Sequence, residues 1–285
     1  MSLKNVWEGV PIKTPHYTFE LQYKGRIHPK QVYTHGHLFV GDENAPCLSI
    51  TFYLPDILQI DDRYTIDKLR IAELNKLNNI RECILDQENT PNKESFSVEM
   101  LDAVIKEIKK SFPYIYHLRL MDKSEIPCDF NDTLDLMIYN IALHKKTWYE
   151  ENFNAYIADR DEYNKYRYSV EKYASKEAKD AIDWSTFYIH HMGLMNPYAY
   201  KVVSSNTELY ESMYTSSQTF PDFFIKMSKS VPPKDKCKLF KDWLSRFING
   251  TMKVMPIREW YIDLYTVKKT VARRIKTRKQ RKSRK

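Results

Sequence analysis

Residues 95–153 read SFSVEMLDAVIKEIKKSFPYIYHLRLMDKSEIPCDFNDTLDLMIYNIALHKKTWYEENF. The first part of this stretch predicts a helix, because apolar side chains recur at helical spacing from Leu101 to Phe112. Pro113 ends that helix. The aromatic and aliphatic run at 114–121 is typical of a strand. A helix that leads into a strand is a unit of an α/β core, so the stretch predicts the centre of the fold.

The chain before this stretch predicts mainly strands. Residues 1–16 look like an irregular lead-in, and an antiparallel β region is expected over residues 17–54. Within it, residues 17–23 alternate apolar and polar side chains, and residues 47–54 are the strongest strand candidate. A helix is expected over about residues 61–77, with its apolar positions turned inward, namely Ile66, Leu69, Leu74 and Leu77.

The chain after residue 121 predicts mainly helices. A second apolar helix is expected to start near Leu134 and to carry residues 147–153, Thr-Trp-Tyr-Glu-Glu-Asn-Phe, at its far end. Residues 160–265 read as mostly helical. The clearest helix there is 234–249, because it has a continuous apolar face and Gly250 stands where a C-terminal cap belongs.

These patterns predict an α+β protein with a mixed sheet. We expect an α/β core over residues 1–158, a mostly helical region over residues 159–266, and a basic tail over residues 267–285. No internal repeat is apparent.

Composition excludes several classes of protein. No run approaches eighteen apolar residues and no apolar segment follows the N-terminus, so we expect neither a membrane span nor a secretory signal. The cysteines are far apart and form no Cys-x-x-Cys pair, which predicts free thiols in a reducing compartment and excludes a zinc ribbon. They are Cys47, Cys83, Cys128 and Cys237.

Glycine usage excludes the common phosphate-binding loops. The chain has 6 glycines, and none lies between Gly41 and Gly193. A P-loop, a dinucleotide-binding turn and a Gly-x-Ser-x-Gly elbow all need glycine, so that the backbone can approach the ligand closely. All three are therefore absent from the predicted core.

The histidine clusters predict no metal site. Adjacent histidines diverge on a strand or helix, and no His-Glu-x-x-His or matching cysteine pair accompanies them. We interpret these histidines as surface or partly buried side chains, at His35, His37, His190 and His191. A lone buried cysteine such as Cys83 or Cys128 is usually a small hydrophobe rather than a catalytic thiol.

A set of short motifs runs through the predicted core, in the order Glu82-Cys83-Ile84, a helix from Met100 to Phe112, Phe112-Pro113-Tyr114-Ile115, Met121-Asp122-Lys123-Ser124, Cys128, and Lys145-Lys146-Thr147-Trp148-Tyr149-Glu150-Glu151-Asn152-Phe153-Asn154-Ala155. This set resembles a family of uncharacterised proteins encoded by nucleocytoplasmic large DNA viruses. The resemblance covers about residues 75–155, and its last motif is the most specific. It implies a virus-encoded protein and no established reaction.

A more remote resemblance is to the acetyl-coenzyme A-dependent (GNAT-type) N-acetyltransferases. Their latter half also runs strand, loop, helix, strand, helix and closes on a Tyr-Glu-x-x-Gly-Phe-like sequence. The resemblance implies that Tyr149 is the counterpart of the tyrosine that protonates the departing thiolate. The cofactor loop should fall at residues 87–96, which contain no glycine and two acids, Glu88 and Glu94. This departure predicts that coenzyme A does not bind in the usual way, and Tyr149 alternatively packs as an aromatic side chain at a helix end.

The C-terminal tail carries the positive functional signal. Residues 268–285 contain 11 Lys or Arg and no acid. Because the whole chain has a net charge of +8, residues 1–267 have a net charge of 8 − 11 = −3. Such a segment neutralises phosphates with release of counterions. Nucleic-acid binding, nuclear import, contact with an anionic membrane surface and a plain solvated tail all remain open. The candidate nucleic-acid-binding residues are Arg273, Arg274, Lys276, Arg278, Lys279, Arg281, Lys282, Arg284 and Lys285.

The leading hypothesis is a virus-encoded, non-enzymatic protein with a degenerate acetyltransferase-like core. Its tail would tether it to nucleic acid without base specificity, or to an acidic viral partner, in the host cytoplasm, the nucleus or the virion. No cofactor is expected. One alternative is an acyltransferase that uses acetyl-coenzyme A through an atypical loop, with Tyr149 as its catalytic residue. A second alternative is a structural or assembly protein of the virion.

Overall fold

The computed structural model describes residues 7–26, 33–55, 70–77, 84–86, 96–128, 133–194, 196–255 and 257–265. The chain forms two compact units, and each is built from more than one segment. The first comprises Met1–Met121, Asn152–Ala155 and Tyr261–Lys285, and the second comprises Asp122–Glu151 and Tyr156–Trp260. These units are defined by packing, so the consecutive segments predicted from the sequence stay predictions.

The described strands are β1 (Trp7–Lys13), β2 (Thr18–Arg26), β3 (Tyr33–Val40), β4 (Leu48–Pro55), β5 (Ile71–Leu77), β6 (Ile84–Asp86), β7 (His117–Met121), β8 (Glu125–Pro127), β9 (Thr133–Asp135) and β10 (Glu259–Asp263). The main sheet has the order β1-β2-β3-β4-β5-β7-β10, and the short β6 pairs with β2. Strands β1 to β5 are antiparallel neighbours, whereas β5 and β7 are parallel. Strands β8 and β9 form a separate antiparallel pair. The predicted antiparallel region at 17–54 and the α+β class with a mixed sheet are confirmed.

Helix α1 (Phe96–Ser111) packs against the sheet of the first unit. The ring of Phe96 lies 5.2 Å from that of Tyr17 and 5.3 Å from that of Phe19. Just beyond the helix, Phe112 lies 4.5 Å from Phe52. The helix predicted from residues 101–112 and the strand predicted after it are therefore confirmed, and aromatic contacts hold the helix against β2 and β4.

Two predictions for this unit are wrong. The expected helix at 61–77 is a strand over Ile71–Leu77, where Ala72 and Leu74 are buried and their neighbours less so. That period of two fits a strand paired on one side with β4 and on the other with β7. Residues 61–69 lie outside the described residues. The irregular lead-in is also partly wrong, because Trp7–Lys13 pairs with β2 as an edge strand.

The helices downstream of β7 are α2 (Leu136–His144), α3 (Trp148–Phe153), α4 (Arg160–Tyr173), α5 (Lys176–Asp180), α6 (Trp184–Phe187), α7 (Pro197–Ser204), α8 (Thr207–Thr215), α9 (Phe220–Lys229) and α10 (Lys236–Phe240). Two π-helical turns, Tyr188–Gly193 and Arg246–Thr251, and a 3₁₀ turn, Pro233–Asp235, accompany them. The mostly helical character predicted for residues 160–265 is confirmed up to residue 251. The prediction is wrong for the end of this segment, because Glu259–Asp263 is strand β10.

The second apolar helix is shorter than predicted. It ends at His144, because Lys145 adopts a left-handed conformation with φ of 63° and donates its N–H to the Ile141 carbonyl. A left-handed residue at this position ends a helix. Residues 148–153 therefore form a separate helix, and the prediction of one continuous helix is wrong.

The helix predicted at 234–249 is broken. Asp242 has φ of 67°, and the chain continues as a π-helical turn that includes Gly250, so this glycine is not the predicted left-handed cap. The side-chain amide of Asn196 donates to the carbonyls of Lys238 (2.7 Å) and Lys241 (3.1 Å). Both carbonyls lie at the end of α10, just before the break at Asp242. The predicted apolar face is nevertheless buried, from Leu239 and Phe240 to Trp243, Leu244, Phe247 and Ile248.

The prediction of free thiols is wrong. Cys128 and Cys237 form a disulfide, with their Cα atoms 5.2 Å apart and a sequence separation of 109. Cys47 is also disulfide-bonded. The fold brings cysteines that are distant in sequence within bonding range, and sequence spacing does not reveal such proximity.

The expectation of no membrane span is confirmed for the part of the chain that the structure describes. No helix there has both the length and the apolar character that crossing a bilayer requires.

Candidate functional site

Tyr149 lies on a helix that begins with a reciprocal pair of hydrogen bonds. The Thr147 N–H donates to the Glu150 carboxylate over 2.8 Å, and the Glu150 N–H donates to the Thr147 hydroxyl over 3.2 Å. This is the capping box that Ser or Thr forms with Glu three residues later. The Thr-Trp-Tyr-Glu run, which carries the viral resemblance, therefore has a structural role at the start of α3.

The Tyr149 side chain is turned into the second unit. It is 6% exposed, and its ring packs edge-on against Trp148 at 4.9 Å. Burial raises the pKa of Tyr149, and the nearby Asp122 carboxylate raises that pKa further, whereas the Ser124 side chain acts to lower it. Tyr149 thus holds its proton in a buried position close to Ser124 and Asp122.

Asp122 completes this buried polar group. It is 2% exposed, and its Oδ1 accepts the Ser124 N–H over 3.1 Å. Burial is the largest cause of the raised pKa of Asp122, and the Asp135 carboxylate adds to it. The Ser124 hydrogen bonds and the Arg258 guanidinium act in the opposite direction. The structure therefore brings Asp122-x-Ser124 and Tyr149, two motifs of the viral resemblance, into one cluster.

Arg258 links this cluster to the chain that precedes β10. Its Nη1 donates to the Asp122 carbonyl over 3.0 Å, and its Nη2 donates to Asp135 Oδ2 over 2.7 Å. The Asp122 N–H donates in turn to the Arg258 carbonyl over 2.7 Å. The exchanged backbone and side-chain bonds fix Asp122 in place. Sequence reasoning missed Arg258 because no local pattern marks it.

A second buried carboxylate, Glu150, is held on the same helix. It accepts the Tyr166 hydroxyl over 2.9 Å, and Arg167 Nη1 lies 3.7 Å from its Oε1. The Tyr166 ring packs edge-on against Trp260 at 5.6 Å. The Glu150 carboxylate thus has partners both at the start of α3 and on α4. The Thr-x-x-Glu spacing could have predicted its capping role, but nothing in the sequence indicates its bond to Tyr166.

This arrangement gathers groups that can transfer a proton, namely the Asp122 carboxyl, the Ser124 hydroxyl and the Tyr149 phenol. Both Asp122 and Tyr149 are buried. A general acid must come within hydrogen-bond reach of the group that it protonates. In this conformation the cluster is a buried polar group whose hydrogen bonds join the segment after β7 to Arg258, just before β10.

The other predicted site residues are placed as follows. The nine tail candidates from Arg273 to Lys285 lie outside the described residues, and so do residues 87–95 of the expected cofactor loop. Its last residue, Phe96, is buried at the start of α1.

The histidines are not gathered into a metal-binding set. His37 Nε2 lies 2.8 Å from the Ser49 hydroxyl, and His191 Nδ1 lies 3.4 Å from the Thr251 hydroxyl. Among the residues that the structure describes, no group of three or more His, Cys, Asp or Glu is suited to hold a metal ion.

Comparisons with protein families, with curated proteins and with solved structures found no match to this chain.

Proposed function

We propose that this chain is a non-enzymatic binding protein that its basic tail tethers to nucleic acid or to an acidic viral partner. The resemblance of residues 75–155 to a viral family supports a viral origin. The buried network around Tyr149 supports a structural role for the most specific motif of that resemblance.

The observation that carries the proposal is the charge of the tail. Residues 268–285 contain 11 Lys or Arg and no acid, while residues 1–267 have a net charge of −3 once those 11 are taken from the total of +8. A segment of this kind gains affinity for a polyanion by releasing the counterions condensed on it. It offers no matched set of base-reading side chains, so its binding does not depend on base sequence.

The buried tyrosine supports the absence of catalysis. A tyrosine that protonates a departing thiolate has to reach that thiolate, whereas the Tyr149 side chain is 6% exposed and its hydroxyl lies near the buried Asp122. The expected cofactor loop contains Glu88 and Glu94, whose negative charges repel a pyrophosphate. It also contains no glycine, which such a loop needs so that its backbone can approach the phosphates.

The test is a titration of the full chain and of a chain truncated after Val267 against two unrelated DNA duplexes. The full chain should bind both duplexes with the same affinity, and the truncated chain should keep its circular dichroism spectrum and lose binding. Equal binding by the truncated chain would place the site in the body and contradict the proposal. Absence of binding by either chain would reject nucleic acid and leave the acidic viral partner.

An acetyl-coenzyme A-dependent acyltransferase is the second candidate. It is favoured by the parallel neighbours β5 and β7, between which the chain runs through β6 and the helix α1. A ligand at a hundred times its dissociation constant stabilises a protein by about 2.7 kcal/mol. We expect no rise in melting temperature with millimolar acetyl-coenzyme A, and a saturable rise would favour this second candidate.

A further inference from the structure

Three aromatic rings form a stacked column in the second unit. The rings of Trp184 and Tyr188 have centroids 5.5 Å apart and planes inclined by 11°. The rings of Tyr188 and Tyr200 follow, with centroids 5.8 Å apart and planes inclined by 9°. Offset stacking of this kind is a favoured arrangement of aromatic rings. The aromatic column, Trp184-Tyr188-Tyr200, thus presents three nearly parallel planes.

The inner end of the aromatic column is fixed in the core. Trp184 lies 5.5 Å from Tyr214 and 6.2 Å from Phe223, which meets it edge-on. Tyr214 is itself held by a 2.6 Å hydrogen bond from its hydroxyl to the Ile182 carbonyl. Buried contacts at this end hold the first ring and so fix the direction of the column.

The outer end of the aromatic column is Tyr200, which is 52% exposed. Tyr188 covers one face of its ring, and within the described ranges no other aromatic ring stacks on Tyr200. The hydroxyl of Tyr188 donates to the Tyr200 carbonyl over 3.4 Å, which ties α7 to the preceding π-helical turn. The column therefore ends at the surface with a half-exposed aromatic ring.

A glycine makes this arrangement possible. A Cβ placed on Gly193 would lie 3.0 Å from the Tyr188 carbonyl oxygen and 3.3 Å from Tyr200 Cδ2. Any side chain at this position would press on the last ring of the column. Close approach of the π-helical turn to the Tyr200 ring therefore requires glycine.

The surroundings of the open face favour an anion. Residues 184–207 contain no Asp or Glu, and within them His190 and Lys201 are exposed. The second π-helical turn contacts the first through Thr251 and His191, and residues 243–258 are also free of acids. An exposed ring on segments that carry exposed basic side chains and no carboxylate fits an aromatic base that is linked to phosphates.

We propose that the outer face of Tyr200 is a stacking site for an unpaired base of single-stranded nucleic acid. This proposal rests on the proposed tethering of the chain to nucleic acid. It adds that residues 1–267 contribute a preference for single strands. In a duplex each internal base is covered on both faces by its neighbours, whereas an unpaired base can leave its stack and extend the column. Stacking is tolerant of sequence because every base has a π face.

The experiment compares variants of the full chain on a single-stranded oligothymidine and on a duplex of the same length. Tyr200→Ala should weaken single-strand affinity by about 5- to 150-fold, because stacking on one aromatic side chain contributes that range per base. Duplex affinity should be unchanged. Tyr200→Phe should retain single-strand affinity, since the π face remains. Tyr168→Ala is the matched control, because Tyr168 is 70% exposed and belongs to no stacked column.

The outcomes separate this site from the tethering itself. Equal single-strand affinity for Tyr200→Ala and the unchanged chain would overturn the stacking site while leaving the tail proposal intact. An equal loss with Tyr168→Ala would also overturn it, since the effect would not belong to the column. Absence of binding to either nucleic acid would overturn both the stacking site and the tethering to nucleic acid. Circular dichroism melts should show that Tyr200→Ala keeps the fold, as expected for a half-exposed side chain.

Discussion

The hydroxyl of Tyr166 donates to the carboxylate of Glu150 over 2.9 Å, and both side chains are buried. The same carboxylate accepts the Thr147 N–H, so it satisfies two buried donors at once. Glu150→Ala should therefore lower the free energy of unfolding by about 1 to 3 kcal/mol for each donor left without an acceptor. Urea denaturation measures this loss.

Two further variants test the cause of that loss. Tyr166→Phe removes one donor together with its need for an acceptor, so it should cost less than Glu150→Ala. The double variant should show coupling, because the two side chains share a bond. Additive effects of the two substitutions would mean that this bond contributes nothing to stability.

The buried Asp122 should make stability depend on pH. Its pKa is raised in the folded chain above the ordinary value of 3.8, chiefly by burial. Between these two pKa values the native state holds the proton more tightly than the unfolded state, so stability falls as pH rises through that window and stays lower above it. Asp122→Asn removes this dependence. Its stability relative to the unchanged chain should increase with pH from about 4 upward, as followed by urea denaturation.

Asp159 provides a control of opposite sign. It caps α4 by accepting the N–H groups of Asp161 (2.8 Å) and Glu162 (3.0 Å), and these bonds lower its pKa. The stability that Asp159 contributes is present above its unfolded pKa and is lost as pH falls through its folded pKa. The stability of Asp159→Asn relative to the unchanged chain should therefore decrease as pH rises, whereas the relative stability of Asp122→Asn increases. The same direction for both variants would contradict the assignment.

The disulfide should stabilise the second unit. Closing a loop of about 100 residues contributes about 4.7 kcal/mol in the chain-entropy treatment, and engineered cases deliver less. The Cys128→Ser/Cys237→Ser double variant should melt at a lower temperature than the oxidised chain, and reduction of the unchanged chain should shift its melting in the same direction. Peptide mapping without reductant should recover the 128–237 crosslink. Absence of that crosslink, with no effect of reductant, would restore the prediction of free thiols.

The sequence predicted those elements whose local pattern agrees with their final surroundings. Helix α1 has an apolar face at helical spacing and packs with that face against the sheet. The residues that the pattern marks as apolar are therefore the ones that are buried. The prediction for the residues of β5 failed because Leu74 and Leu77 fit a helical spacing. Pairing with β4 on one side and β7 on the other instead gives these residues a burial pattern with a period of two. Strand β10 was missed because it joins the sheet from the end of a helical segment, and its pairing depends on long-range topology.

The candidate site was predicted in part. The motifs of the viral resemblance pointed to Asp122, Ser124 and Tyr149, and the fold brings these three together. Their partner Arg258 lies 136 residues beyond Asp122, and its role arises from a carbonyl and a carboxylate that only the folded chain presents to it. The break at Asp242 was equally hidden, since Asn196 donates to the carbonyls just before it from a distant part of the sequence.

Trp243 should be essential to the core of the second unit. It is fully buried, its Nε1 donates to the Leu239 carbonyl over 2.7 Å, and its ring lies 5.8 Å from Phe187 and 5.7 Å from Phe224. Trp243→Ala should cost about 3 to 5 kcal/mol of the free energy of unfolding. A variant with native melting but failed assembly would instead indicate a docking surface.

The salt dependence of DNA binding tests the tethering most directly. The chain is compared with a variant in which the nine candidate tail residues are replaced by Gln, namely Arg273, Arg274, Lys276, Arg278, Lys279, Arg281, Lys282, Arg284 and Lys285. If about 6 to 10 tail charges meet phosphates, duplex affinity of the unchanged chain falls by roughly 10³ to 10⁵ between 50 and 200 mM salt. The Gln variant should bind weakly, with little dependence on salt. The same steep dependence in both proteins would contradict the account, because the phosphate contacts would then lie in the body.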